Sequence, residues 1–350
     1  MKTRQYTIIV PAIDRTGPVN VAFDLGRAAA EAGYEVRVLW LTAKGSRTDS
    51  GFAREVRQFK VSDLWKLKGW VHTHCMRPDF LGGLLSLNRR VTTMTTLHNL
   101  FLLDLEFDHR ASYVRIAWWI WRRAIVRFDH VVCISNAMRR YYRRHLGGRR
   151  LELVYNFRAP AVSATLEAPI VEWMDAQRAA GRCILCFCGS LSARKNVDGL
   201  IGALPHAPDV AVLLCGDGPE RQRLEYLSKE LGTNGRVLFT GHLDVPSAAI
   251  ARADALVLPS FAEGFPLVVL EAASVGVPSL LSNIAVHREL AKIGFGRTFD
   301  HHRFDNFIAI LGAIQAQGVP PRGDLTDLWA SGYSPQLGFA SYESLVKRIS

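Results

Sequence analysis

The sequence predicts two doubly wound α/β domains in series, and three observations predict it. Short apolar runs alternate with helical patterns along the chain. The runs are continuously apolar rather than alternating, as parallel strands covered on both faces are. The length, 350 residues, is that of two ordinary domains.

The expected strands in the first half are 6–10, 35–41, 70–74, 91–97, 130–134 and 151–154. In the second half they are 183–188, 210–214, 237–240, 255–258 and 279–281. Helical segments fill most of the gaps. Residues 158–169 are rich in Ala and Pro and lack periodicity, so they read as a linker. The expected division is 1–160 for the first domain and 161–334 for the second.

Composition narrows the class. Hydrophobic residues make up 49% and charged residues 21%, which excludes a disordered chain, a collagen and a heptad coiled coil. The formal net charge of +11 points to an anionic partner. It is unevenly spread: residues 1–158 hold 27 Lys/Arg against 13 Asp/Glu, a net of +14, and the remainder nets −3. The two halves are expected to meet different partners.

No leader is expected, because the apolar run at 6–11 is too short and no small-residue cleavage site follows. No stretch reaches the ~18 uncharged apolar residues of a membrane span. The six cysteines read as reduced thiols of a cytoplasmic protein. Cys183 and Cys186 have Cys-x-x-Cys spacing, but on a strand they point to opposite faces, so this pair is not expected to share a metal.

In open α/β sheets, ligands bind beyond the carboxyl ends of the strands. Five clusters lie there. After the first strand, Gly17 and Pro18 open a helix whose N-terminus would suit phosphate, although a glycine before a helix also serves as a plain turn. After 183–188, Gly189 leads to the adjacent cations Arg194 and Lys195, which could clamp a diphosphate or simply form a solvated basic loop.

Gly216 and Gly218 follow the next strand, without the third glycine of the dinucleotide fingerprint. The richest cluster runs from Pro259 to Ala272. A loop carries Glu263 and Gly264, Pro266 opens a helix, and Glu271 falls in its second turn. Glu263 would lie near a ligand, the helix start would offer amides to phosphate, and Glu271 would accept from ribose hydroxyls. In the first half, His72, His74, His98 and Asn99 sit at successive strand ends.

Taken together, Gly-x-Leu-x-x-Arg-Lys (189–195), Gly-Asp-Gly-Pro (216–219), Phe-Thr-Gly-His (239–242) and Pro-Ser-x-x-Glu-Gly-Phe-Pro-x-x-x-x-Glu-Ala (259–272) form an ordered string. It resembles the nucleotide-sugar domain of the family 4 glycosyltransferases, with His287-Arg288-Glu289 following as it often does there. The first half resembles the family more loosely, through Gly17, His74, His98, Ser135 and Asn156.

The resemblance implies a GT-B fold: two Rossmann-like domains facing across a deep cleft, with a C-terminal helix at about 335–350 crossing back to the first. It implies a retaining transferase with a nucleotide-sugar donor, UDP foremost, and no metal or other cofactor. Arg194 and Lys195 would neutralise the donor diphosphate. Glu271 would hold the ribose and the amides of Leu267 and Val268 the phosphate, while Glu263 would contact the transferred sugar.

Gly17, Gly189, Gly216, Gly218, His242, Gly264 and Phe265 complete the implied donor site. His98 would act near the reacting carbon, and His74, Asn99 and Asn156 would lie on the acceptor side. Three departures fall on that side: one glycine where the family often has two or more, Asn99 for an acid, and Tyr155-Asn156-Phe157 for Pro-Asn-Gly.

The basic first half carries its own signal. Around a helix at 113–128, Arg115, Arg122, Arg123 and Arg127 share an arc with Ile116 and Trp119, while Trp118, Trp121 and Phe128 face away. Six arginines follow within 139–150. A basic arc with a Trp is the pattern of an interfacial helix. It suggests peripheral association with the inner face of the plasma membrane and a lipid-linked acceptor; together with the family resemblance it implies a glycan or polyprenyl-linked acceptor in cell-surface polysaccharide assembly.

An ordinary solvated helix face reads the same way. A basic nucleic-acid-binding protein, a degenerate scaffold, and a GT-B epimerase or phosphorylase are the alternatives. No nucleic-acid motif is present, so no nucleic acid is expected.

Overall fold

A computed structural model describes residues 4–14, 16–42, 50–108, 110–147, 151–160, 164–302, 307, 309 and 322–348. The chain divides into two compact units, residues 1–159 with 332–350, and residues 160–331.

The first unit holds seven parallel strands: β1 (Gln5–Val10), β2 (Glu35–Trp40), β3 (Glu55–Gln58), β4 (Gly69–His74), β5 (Val91–Leu97), β6 (His130–Cys133) and β7 (Glu152–Leu153). Their order is β3-β2-β1-β4-β5-β6-β7. The order reverses between β1 and β4, so their carboxyl ends form this sheet's topological switch point. Central strands are buried on both faces, as in the run Tyr6, Ile8, Ile9 and Val10. That is why they read as solid apolar runs.

The helix Pro335–Lys347 packs against the helix Gly17–Glu31 of this unit. Gly338 permits the same helix to lie close against Phe157, since a Cβ there would lie 2.1 Å from that ring. Phe339 sits edge-on to Tyr6 and Tyr34, with ring centroids 6.0 and 5.3 Å away. Arg158 also belongs to this unit: its amide donates to the Tyr333 carbonyl and its guanidinium pairs with Asp24 at 3.1 Å. The linker is therefore shorter than its composition suggests, and the next helix begins at Ala168.

The second unit holds six parallel strands: β8 (Cys183–Cys188), β9 (Val210–Cys215), β10 (Val237–Gly241), β11 (Ala255–Leu258), β12 (Ser279–Ser282) and β13 (Gly296–Phe299). Their order, β10-β9-β8-β11-β12-β13, places the switch point between β8 and β11. Two strands, β3 and β13, were not expected from the sequence. Both are sheet edges: Glu55-Val-Arg-Gln is polar, and Gly296-Arg-Thr-Phe has a single buried residue. Among the described residues, no helix is long and apolar enough to cross a membrane.

Candidate functional site

The switch point of the second sheet brings two turns together. The turn after β8 ends in a short helical turn, Ala193–Lys195, closed by Asn196 in the left-handed conformation, φ 54°. The buried Asn196 amide donates to the carbonyls of Pro259 and His301, at 3.2 and 3.0 Å. The Phe261 amide donates to the Arg194 carbonyl at 2.9 Å. The loop after β11 is thereby stitched to the loop that carries both cations.

Glu263 is the centre of this arrangement. Its Oε1 accepts from Lys195 Nζ at 2.5 Å and from Ser260 Oγ at 2.7 Å. Its Oε2 lies 3.5 Å from Arg194 Nη1, which also donates to the Ala262 carbonyl at 2.5 Å. Burial alone would push this carboxyl up, but Lys195 and then Arg194 outweigh it and hold it down at about 2. A buried anion thus fixes two cations at the sheet's ligand-binding edge.

Behind it, the buried His287 meets Ser282 Oγ at 2.8 Å, and that hydroxyl donates to the Ser260 carbonyl at 2.6 Å. Burial lowers the His287 imidazole to about 4. Neither Ser260 nor Asn196 was expected to act here; Ser260 stands inside the motif string at 259–272, and Asn196 directly follows the string at 189–195.

The helix Leu267–Ser274 starts one residue later than predicted, with Pro266 as its cap. The amides of Leu267 and Val268 open it, where no preceding carbonyl stands in helical register. Glu271 lies half-buried in its second turn, and Gly264 and Phe265 are buried in the loop before it. Gly216 and Gly218 pack against the β8 turn: a Cβ at Gly216, φ 149°, would lie 1.9 Å from the Gly189 carbonyl oxygen. A Cβ at Gly218 would lie 2.4 Å from that of Leu191. His242 is exposed just past β10.

In the first unit, Gly17 begins the helix after β1. The histidines do not all face outward as their strand-end positions suggest. His72 is fully buried between Tyr6 OH, 2.7 Å from Nδ1, and Thr96 Oγ1, 2.8 Å from Nε2. His74 is fully buried too, its Nδ1 2.8 Å from His98 Nε2. It can therefore reach a ligand only by positioning His98. Asn156, expected on the acceptor side, is also buried.

His98 and Asn99 line a cavity of about 330 Å³, together with Cys75, Arg77, Asp104 and Tyr142. Cys75 holds φ 74° and ψ 162°, a region kept almost wholly for glycine, and such strain gathers at functional sites. Asp79, which sequence reasoning passed over, forms part of the wall. Its carboxylate accepts from Thr73, Thr95 and Trp121 at 2.7, 2.7 and 2.8 Å. A lone acid inside the apolar run Met76–Leu85 was the available signal.

These groups predict a pH dependence. Burial pushes His72 and His98 down to about 3, and burial with His72 and His98 pushes His74 well below its ordinary value. The stability they contribute is complete above the unfolded histidine value of ~6.5 and is lost as pH falls toward the folded values. Asp79 runs the other way. Burial raises it to about 7, so its contribution is present in acid and is lost as pH rises through that value.

Between pH 6 and 4 the first unit should take up about two protons on unfolding, with stability falling ~3 kcal/mol per pH unit. Denaturant titrations at pH 6, 5 and 4 check this; an unchanged midpoint would contradict it.

The basic helix Ala111–Ile125 presents what its wheel predicts. Arg115, Arg122 and Arg123 are exposed, as is Arg127 just beyond it. Trp119 is 59% and Ile116 62% exposed, whereas Trp121 and Phe128 are buried. Ile120 and Tyr113 extend the apolar part of the outer face. The Arg123 guanidinium stacks on the Trp119 ring, 3.2 Å from its centroid. Arg149 and Arg150 of the arginine run, and the last two residues of the expected C-terminal helix, lie outside the described residues.

Two parallel doubly wound units, one with a cation-lined turn at its switch point, define the GT-B class. The model of the glycosyl transferases group 1 matches residues 172–311, and that of Glycosyltransferase Family 4 matches residues 15–160. The chain belongs to this glycosyltransferase family.

The O-antigen biosynthesis glycosyltransferase WclY of Escherichia coli is 30% identical over 237 residues, 66% of each chain. This chain thus spans about two thirds of that relative's length. The lipopolysaccharide core biosynthesis glycosyltransferase LpsD of Rhizobium meliloti is 34% identical over 153 residues, 43% of each. Among solved structures, Anabaena Alr3699/HepE in complex with UDP gives a TM-score of 0.80 at 16% identity, covering 98% of this chain and 100% of that one. The sucrose-phosphate synthase of Thermosynechococcus elongatus gives 0.78 at 18%, covering 99% of both. At these identities the likeness is one of fold.

Proposed function

We propose that this chain is a retaining, metal-independent hexosyltransferase that moves a sugar from a nucleoside-diphosphate sugar to a glycan or polyprenyl-linked acceptor during cell-surface polysaccharide assembly. The observation that carries the reading is the cluster of Arg194, Lys195 and Glu263 at the switch point of the second sheet. The cations meet the charge that grows on the departing diphosphate, and the amides of Leu267 and Val268 add a helix N-terminus. Glu263 keeps the cations in place and contacts the transferred sugar, whose anomeric carbon becomes oxocarbenium-like. Glu271 holds the ribose, and His98 acts near the reacting carbon. The acceptor hydroxyl attacks on the face that the leaving group vacates.

UDP is the proposed nucleotide, supported by the family and by the Anabaena complex. The named relatives support a lipopolysaccharide-type acceptor. The test is a panel of UDP-, GDP- and ADP-sugars with lipid extracts from a bacterial envelope, the anomeric configuration of the product being read by NMR. Transfer from one UDP-sugar with retention is expected. An inverted product would reject the retaining mechanism. Phosphorolysis without nucleotide, or epimerisation without acceptor, would replace the assignment, and no turnover with any donor would favour a scaffold.

The exposed arginines and Trp119 support peripheral attachment to the anionic inner face of the plasma membrane. With ~1 kcal/mol available per arginine, partition into anionic vesicles should exceed that into neutral ones by on the order of 100-fold at low salt. The preference should shrink as salt rises. Flotation assays with wild type and the Arg115→Glu/Trp119→Glu variant measure it; equal partition into both vesicle types would remove the membrane from the proposal.

A further inference from the structure

Three cysteines that the transfer chemistry does not use meet beneath the donor-side turns. Cys186 and Cys188 are two residues apart on β8 and so share a face. Cys215 ends β9, in register with Cys188. All three are buried, and their sulfurs lie within 4.8 Å of one another. The Cys186 sulfur is 3.5 Å from that of Cys188 and 3.8 Å from that of Cys215. Cys183, the residue at Cys-x-x-Cys spacing, is not part of the group.

We propose that Cys186, Cys188 and Cys215 form a binding site for one thiophilic d¹⁰ metal ion. A metal bound at ~2.3 Å by thiolates sets them about 3.8 Å apart in tetrahedral geometry, close to the spacing these sulfurs already have. The donor set is sulfur alone, which selects soft ions and rejects magnesium and calcium. Two of the ligands come from one strand, held in place by the parallel ladder to the third.

Occupancy would reach the donor-side turns through the backbone. Cys188 is followed directly by Gly189 and Cys215 by Gly216. The Gly189 amide donates to the Cys215 carbonyl at 3.0 Å, and the Gly216 amide to the Gly241 carbonyl at 2.8 Å. A bound ion clamps the carboxyl ends of β8 and β9, from which the Arg194–Lys195 turn and the Gly216–Gly218 turn depart. This role is structural or regulatory and does not depend on which sugar is transferred.

The experiment titrates Cd²⁺ into the full, metal-free chain kept reduced by a phosphine. The expected result is an ultraviolet thiolate-to-metal charge-transfer band that saturates at one ion per chain. The triple variant Cys75→Ser/Cys133→Ser/Cys183→Ser should retain it. Cys188→Ser and Cys215→Ser should each weaken binding by about 100-fold or more, since even outer partners of a metal site are worth up to that factor.

Wild-type ¹¹³Cd NMR gives a readout free of variant folding. A resonance in the range of three-sulfur ligation is expected. No saturating band, a resonance of nitrogen–oxygen type, or a band that survives in folded Cys188→Ser and Cys215→Ser would overturn the proposal.

Discussion

Replacing Lys195 with alanine should slow sugar transfer by about 100- to 1,000-fold, the cost of deleting one preorganised charge donor from a site where negative charge develops. The loss is double. Lys195 is the cation closest to Glu263, at 2.5 Å, and the proposed partner of the leaving diphosphate. Without it, Glu263 keeps only the longer contact to Arg194, and its carboxyl should rise from about 2 toward the carboxylate range.

A nearly buried anion left half-compensated should also cost ~3 kcal/mol of stability. The double variant Lys195→Ala/Glu263→Gln separates the two effects. It should recover most of the melting temperature while transfer stays slow. Steady-state kcat/KM and thermal melts of the three proteins measure this, and wild-type turnover by Lys195→Ala would remove that residue from the mechanism.

Gly216→Ala should be among the most damaging single methyl groups in the second unit. The added carbon would sit 1.9 Å from the Gly189 carbonyl oxygen, at a φ of 149° that a side chain rarely adopts. Backbone rather than a flexible side chain is in the way, so the turns must separate, costing ~3 kcal/mol by overpacking and strain. Nucleotide affinity should fall in parallel, because the β8 turn that moves leads to Arg194 and Lys195.

Gly202→Ala is the matched control. It lies in the helix Val197–Ala203 with nothing within 4 Å of its added carbon, and should stabilise by up to ~1 kcal/mol. Equal melting temperatures for the two variants would contradict the close approach.

What the sequence made legible follows the physics of each element. Central strands such as Cys183–Cys188 are covered on both faces, and their apolar runs announce them. The edge strands Glu55–Gln58 and Gly296–Phe299 pair on one side only, and their composition carried no such run. The cation turn and the Glu263 loop were legible because each lies within a few consecutive residues.

What distance in the chain hid was partnership. Cys215 joins Cys186 only through strand register, and Asp79 finds Trp121 across 42 positions. The burial of His74 and Asn156 was hidden for the same reason: position at a strand end does not reveal what packs over it.

The return of the helix Pro335–Lys347 to the first unit bears on the order in which the molecule is made. Tyr342 places its hydroxyl 2.8 Å from Thr96, inside the chain of contacts that includes His72 and Tyr6. A ribosome delivers both histidine-bearing strands long before it delivers that tyrosine. The nascent first unit must therefore wait with Phe157 and the Gly17–Glu31 helix uncovered, while the second unit is contiguous and can close around its own sheet as soon as it emerges. Of the two units, the one that begins earlier in the chain is therefore closed later, when this helix arrives.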